Sequence, residues 1–142
     1  MNPQAVVFAR ITGDATLTAL LASYAAAPAV FDDGKVPAEF EHGSLPMAVL
    51  TPPSNNGNPD TFSEKMREEV LSVRLYHKPA GSSLPLHSAA ARVRALFKNW
   101  GATAITGGTL IHAEVSGPFP APTDDPSLDG RIINITLLIK ET

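Results

Sequence analysis

Apolar residues recur along this chain at two spacings, and each spacing predicts its own kind of element. Val7, Phe8 and Ile11 form a stripe behind Pro3, which suits a helix start because its missing N–H would find no partner there anyway. Gly13 interrupts, and Asp14 is placed to cap a second helix by accepting from a free backbone N–H. Leu17, Leu20, Leu21 and Tyr24 then fall at i, i+3, i+4 and i+7, so this second amphipathic helix is expected to fill the region closed by Pro28. Ala29 to Pro37 reads as a short strand running into an Asp-Gly turn. Leu45 to Thr51 reads as a first core strand. Its unbroken apolar run implies burial on both faces, or burial on one face and a subunit contact on the other.

The segment Pro52 to Ser63 is rich in proline and asparagine, and the expectation is a long mobile loop with no packed element. In Lys65 to Lys78, Leu71, Val73 and Leu75 alternate with Ser72, Arg74 and Tyr76, the period of a strand with one apolar face. The adjacent Glu68 and Glu69 then point to opposite faces. The strongest helical stripe follows: Leu86, Ala89, Ala90, Val93, Leu96, Phe97 and Trp100, with His87, Arg94 and Lys98 opposite and Gly101 as the expected stop. Thr109 to Ser116 reads as a strand with Ile111, Ala113 and Val115 on one face. Gly117 to Asp129 reads as a proline-rich linker, and Arg131 to Lys140 as a last strand with Ile133, Ile135, Leu137 and Ile139 inward. This order predicts one α+β domain over residues 1–142. It would hold an antiparallel or mixed sheet of four or more strands, with helices packed on one face.

Composition changes this picture in three places. Only 6% of the 142 residues are aromatic, so aliphatic side chains must fill the core. The net charge of −3, with no Lys/Arg cluster, argues against general nucleic-acid binding. Arg92, Arg94 and Lys98 are the densest basic group, and their helical spacing reads as a solvated face. The chain has no cysteine, which excludes disulfides, thiol nucleophiles and cysteine metal sites. No basic leader opens the sequence and no apolar run reaches membrane-spanning length. The expectation is synthesis and use in a reducing cytoplasm, with no membrane partner. Later export as part of a particle fits that expectation.

Candidate chemistry is sparse. His42, His77, His87 and His112 form no short metal-binding spacing, and no G-x-S-x-G nucleophile turn occurs. Thr106-Gly107-Gly108-Thr109 precedes a strand and reads as a β-turn rather than a phosphate cradle. Asp125 to Gly130 matches the opening of a calcium loop, but the twelfth position is Thr136 where a bidentate Glu belongs, so it too reads as a turn. No catalytic, metal or cofactor residues are assigned, and the expectation is a protein that is not an enzyme.

Three blocks carry a family resemblance: Leu17-Thr18-Ala19-Leu20-Leu21; Val30 to Pro37 followed by Leu45 to Leu50; and Val70 to Tyr76 followed by Ser88 to Phe97. In their order and spacing, over roughly residues 17 to 100, the chain resembles the tail-terminator (tail-completion) proteins of long-tailed bacteriophages and related gene-transfer particles. The resemblance implies a homohexameric ring in the virion, assembled in the host cytoplasm. Such a ring caps the tail tube protein, stops tube growth and meets a head-side connector protein. DNA would pass through without tight binding. Six copies at −3 each would give −18, a surface that does not grip phosphates. In such a ring, Met47, Val49, Leu50, Val70, Arg74 and Tyr76 are the candidate subunit interface. Pro53, Asn55, Asn56, Asn58, Asp60 and Phe62 are the candidate assembly loop. Three alternatives stay open: a head-side neck or connector protein, a small-molecule-binding α+β domain, and an enzyme assembled from distant residues. Native size separates a ring from a monomeric or dimeric ligand-binding domain.

Overall fold

A computed structural model of the protein describes residues 2–55, 66–105 and 107–141. The chain opens with α1 (Pro3–Thr12), whose N-cap Asn2 accepts from the amides of Gln4 and Ala5 at 3.1 and 3.3 Å. Asp14 caps α2 through the Leu17 amide at 2.9 Å. α2 is a single turn, Ala15–Thr18, and not the longer amphipathic helix that the spacing of Leu17, Leu20, Leu21 and Tyr24 predicts. Ser23–Tyr24 (β1) and Ala27–Pro28 (β2) form a small hairpin instead of more helix. Its two turn residues, Ala25 and Ala26, both hold positive φ. The Ala22 amide bonds to the Pro46 carbonyl at 2.8 Å, so tertiary pairing replaces the next helical turn.

β3 (Val30–Asp32) runs parallel to β4 (Met47–Leu50), and β4 lies antiparallel to β6 (Met66–His77). The two-residue β5 (Ser54–Asn55) also pairs with β6, so part of the expected loop does join the sheet. After α3 (Leu84–Phe97) come β7 (Gly101–Ile105), β8 (Gly108–Pro120) and β9 (Asp129–Glu141). The sheet order is β3-β4-β6-β9-β8-β7, with the long strands β6 and β9 central and antiparallel. The fold is therefore α+β with a mixed sheet, as the element pattern predicts.

One face of the sheet carries the helices. Leu71, Val73 and Leu75 of β6 and Ile133, Ile135, Leu137 and Ile139 of β9 meet Leu86, Ala90, Val93 and Phe97 of α3 in the main core. Val7, Ile11 and Leu17 seal one side of it. Each fully buried aliphatic side chain of this size contributes about 1.5–3 kcal/mol relative to exposure. The basic face of α3 is less solvated than its spacing implies. Arg92 pairs with Asp14, Arg94 donates to the Gly117 carbonyl at 2.5 Å, and from α1 Arg10 donates to the Leu96 carbonyl at 2.8 Å.

Two further departures sit around β7 and β8. Gly101 is not the helix stop that the sequence suggests: α3 ends at Phe97, Lys98 caps it, Asn99 takes a positive φ, and Gly101 starts β7. A Cβ there would lie 2.5 Å from the Ile111 carbonyl oxygen, so only glycine permits this approach. A bulge between Leu110 and His112 turns Ile111 outward, leaving Leu110, Ala113 and Val115 on the core side. β8 also runs on through Gly117–Pro120, past a second register shift and a cis Gly117-Pro118 bond. The expected linker is shortened accordingly.

Candidate functional site

Among the described residues, no helix packs on the second face of the sheet. At its β3–β4 end it is covered by chain from residues 22 to 40. Tyr24, Phe31 and Phe40 pack edge to face around one another, with centroids 5.6 to 6.0 Å apart, over Ala29, Met47 and Val49. This small second core accounts for the unbroken apolar run in β4. Ala48 and Leu50 face the main core, and Met47 and Val49 face this one. The Tyr24 hydroxyl donates to Glu39, which holds that carboxyl below its usual range and raises the tyrosine.

Beyond the aromatic patch, pairing across the strands builds rows of side chains. Val49 lies beside Arg74, Arg74 beside Ile132, and Ile132 beside Phe119, so one row crosses β4, β6, β9 and β8. Phe119 is 48% exposed at the end of that row. The next row brings Met47 beside Tyr76 and Tyr76 beside Gly130. A Cβ on Gly130 would meet the Tyr76 ring at 2.8 Å, so the ring packs against that glycine.

These rows floor an open groove of about 400 Å³, whose walls are Val36 and His42 on one side and Pro122 to Asp125 with Leu128 on the other. Four interface candidates from the sequence, Met47, Val49, Arg74 and Tyr76, line it together. Met47 and Val49 contribute only the floor, being 2% and 7% exposed, whereas Arg74 and Tyr76 are half-buried and reachable. Leu50 is fully buried on the opposite face, and Val70, half-buried, lies further along β6 beside Thr136. Among the described residues, the Arg74 side chain forms no ion pair or hydrogen bond, which leaves its charge available.

The walls were not legible as a site. His42 stands edge-on to Phe40 at 5.2 Å, and burial pushes its imidazole below the usual range, with Asp125 pulling the other way. Asp125 accepts from the amide and hydroxyl of Ser127 at 2.9 and 2.7 Å, which lowers its carboxyl and fixes the loop. Nothing in the local pattern announces these residues, because sheet pairing between distant strands brings them together.

The chain matches no family model and no curated protein. It does match a solved structure. A chain from "Virion of native gene transfer agent (GTA) particle" superposes with a TM-score of 0.76 at 19% identity, covering 98% of this chain and 95% of that one. A second solved chain overlaps only at a TM-score of 0.46 and 15% identity. At 19% identity the first likeness establishes a shared fold over essentially the whole chain.

Among the assembly-loop candidates, Pro53 is half-buried and the Asn55 backbone pairs with Glu69 in β5. Asn56, Asn58, Asp60 and Phe62 lie outside the described residues. Asp125 to Gly130, read as a turn, does contain an Asp125–Ser127 turn before β9. Glu68 and Glu69 point to opposite faces as expected. Glu69 is buried beside Arg67, which also donates to Glu141 at 2.7 Å. Among the described residues no three His, Asp or Glu side chains converge as a metal site would need, and no helix is long and apolar enough to cross a membrane.

Proposed function

We propose that this protein is a virion structural component that forms a homohexameric ring closing the tail tube and joining it to the head-side connector. The observation that carries the reading is the end-to-end fold likeness to a chain of a gene-transfer-agent virion, at a TM-score of 0.76. Two features of the surface support it. The second sheet face is open, with Arg74, Tyr76, Ile132 and Phe119 reachable along one side. That mixture of aromatic, aliphatic and arginine side chains is what protein interfaces enrich. The contacts would be head-to-tail, one surface against a different surface of the neighbour, because that geometry closes a ring.

The interface is assigned to the outward side chains Val70, Arg74 and Tyr76, with Met47 and Val49 supporting them from below and Leu50 acting only through the core. DNA would pass the ring without being held, since the subunit is net acidic. The test is genetic and structural. Particles assembled without the protein should carry tails of uncontrolled length that fail to join heads, and supplying it should restore both. Normal tail length and normal joining in its absence would refute the assignment.

A further inference from the structure

Charge in this subunit is sorted by face. The helix layer, residues 2–22 and 83–100, holds Arg10, Arg92, Arg94 and Lys98 against Asp14 alone, a net of +3. Neither α1 nor α3 contains an acidic residue. Across the sheet, residues 29–46 hold Asp32, Asp33, Glu39 and Glu41 against Lys35, a net of −3. Residues 121–129 add Asp124, Asp125 and Asp129, another −3, of which Asp129 is paired with Arg131 at 3.4 Å. These two acidic segments are the ones that wall the groove. The carbonyl bonds of Arg10 and Arg94 orient those side chains without neutralising them. Lys98, at the end of α3, is exposed and forms no ion pair among the described residues.

The exposed side of α3 is otherwise uncharged and low. His87, Ala91, Ala95 and Lys98 point outward from it, and the alanines let another surface approach closely. The groove opposite offers a floor of Met47, Val49 and Tyr76 with Arg74 beside them, and a wall that carries Asp124 and Asp125, so its two lining carboxylates outnumber its one guanidinium. The two surfaces therefore match in sign and in polarity, and they lie on opposite sides of one sheet.

We propose that the groove receives the Lys98 end of α3 from a second copy of this chain, with Lys98 set against the wall at Asp124. This inference rests on the ring reading and names the surfaces that would make it. Because the two surfaces are different and back to back, each copy that docks leaves one groove and one helix free for the next. That contact propagates in one direction, the head-to-tail kind from which a ring is built when the rotation between copies closes. Opposite charge would steer the encounter and weaken with salt.

The experiment is a charge swap read by sedimentation and native mass spectrometry. Lys98→Glu and Asp124→Lys are made singly and together; Asp124 is chosen because Asp125 also holds its loop through Ser127. Circular dichroism and melting temperature confirm that each variant folds. Each single reversal should weaken self-association about tenfold, and the combined variant should recover most of it. If wild type assembles and the reversals assemble equally well, or the combined variant shows no recovery, the docking surface is wrong while the ring survives. Failure of wild type to assemble even on tail tubes removes both. Duplex DNA binding by wild type that Lys98→Glu abolishes would assign the helix layer to nucleic acid and overturn the proposal.

Discussion

Asp14 and Arg92 join the start of α2 to the middle of α3 by two hydrogen bonds of 2.8 Å each, and Asp14 uses the same carboxylate to cap the Leu17 amide. The Arg92 bond is the largest cause that holds the Asp14 carboxyl at about 2, against an ordinary 3.8. One side chain thus fixes the short helix and clamps it to the long one.

Replacing it should be felt in stability. Asp14→Ala should cost about 1–2 kcal/mol, the range for a lost N-cap, with the ion pair lost as well. Because the folded value is depressed, the stabilisation is fully present above the ordinary value near 3.8 and disappears as pH falls toward about 2. Urea midpoints taken across pH 2 to 6 should therefore converge for wild type and Asp14→Ala at the acid end and separate above pH 4. Parallel curves would show that the pair contributes nothing.

Leu96 is 8% exposed on the core side of α3. Leu96→Ala should cost about 2–5 kcal/mol by denaturant unfolding. A loss below about half a kcal/mol would mean that the helix stripe does not bury what the structure assigns to it.

Gly130 and Tyr76 form a coupled pair, since any Cβ on Gly130 meets the tyrosine ring. Gly130→Ala should destabilise by about 1–3 kcal/mol through overpacking. In a Tyr76→Ala background the same change should cost clearly less, a coupling that a double-mutant cycle measures. Additive effects would place the ring elsewhere.

The parts of this fold that rest on a clean period were legible in the sequence. β6 and β9 show their alternation plainly, and α3 shows its stripe; all three face their own main core. What was not legible arose from contacts between distant segments. Leu17, Leu20, Leu21 and Tyr24 have helical spacing, yet Ala25 and Ala26 take a left-handed turn that alanine does not advertise. Tyr24 consequently joins the aromatic patch with Phe31 and Phe40 rather than a helix face. Ile111 carried the right period for the core and lost it to a one-residue bulge. β7 was invisible because Gly101-Ala102-Thr103-Ala104-Ile105 has little apolar contrast and depends on β8 for its pairing. Arg74 and Tyr76 were legible as the polar side of a strand, but their groove walls, residues 36–42 and 122–128, needed the sheet to bring them together.

Arg74 is the sharpest single probe of the proposed contact surface. Arg74→Glu should leave circular dichroism unchanged, because the side chain makes no ion pair or hydrogen bond among the described residues. It should abolish higher assemblies at concentrations where wild type forms them, because the arginine's own contact with the neighbour is lost, and that loss outweighs the added attraction for Lys98 that a further acid gives the groove. A variant that assembles normally would remove this face of β6 from the interface.

A closed ring of six is open to direct measurement by native mass spectrometry of the purified protein, alone and mixed with tail tubes. A species of six times 15.0 kDa is expected, present at high protein concentration or appearing on contact with tubes. A protein that stays monomeric or dimeric under both conditions, at any concentration reached, would contradict it.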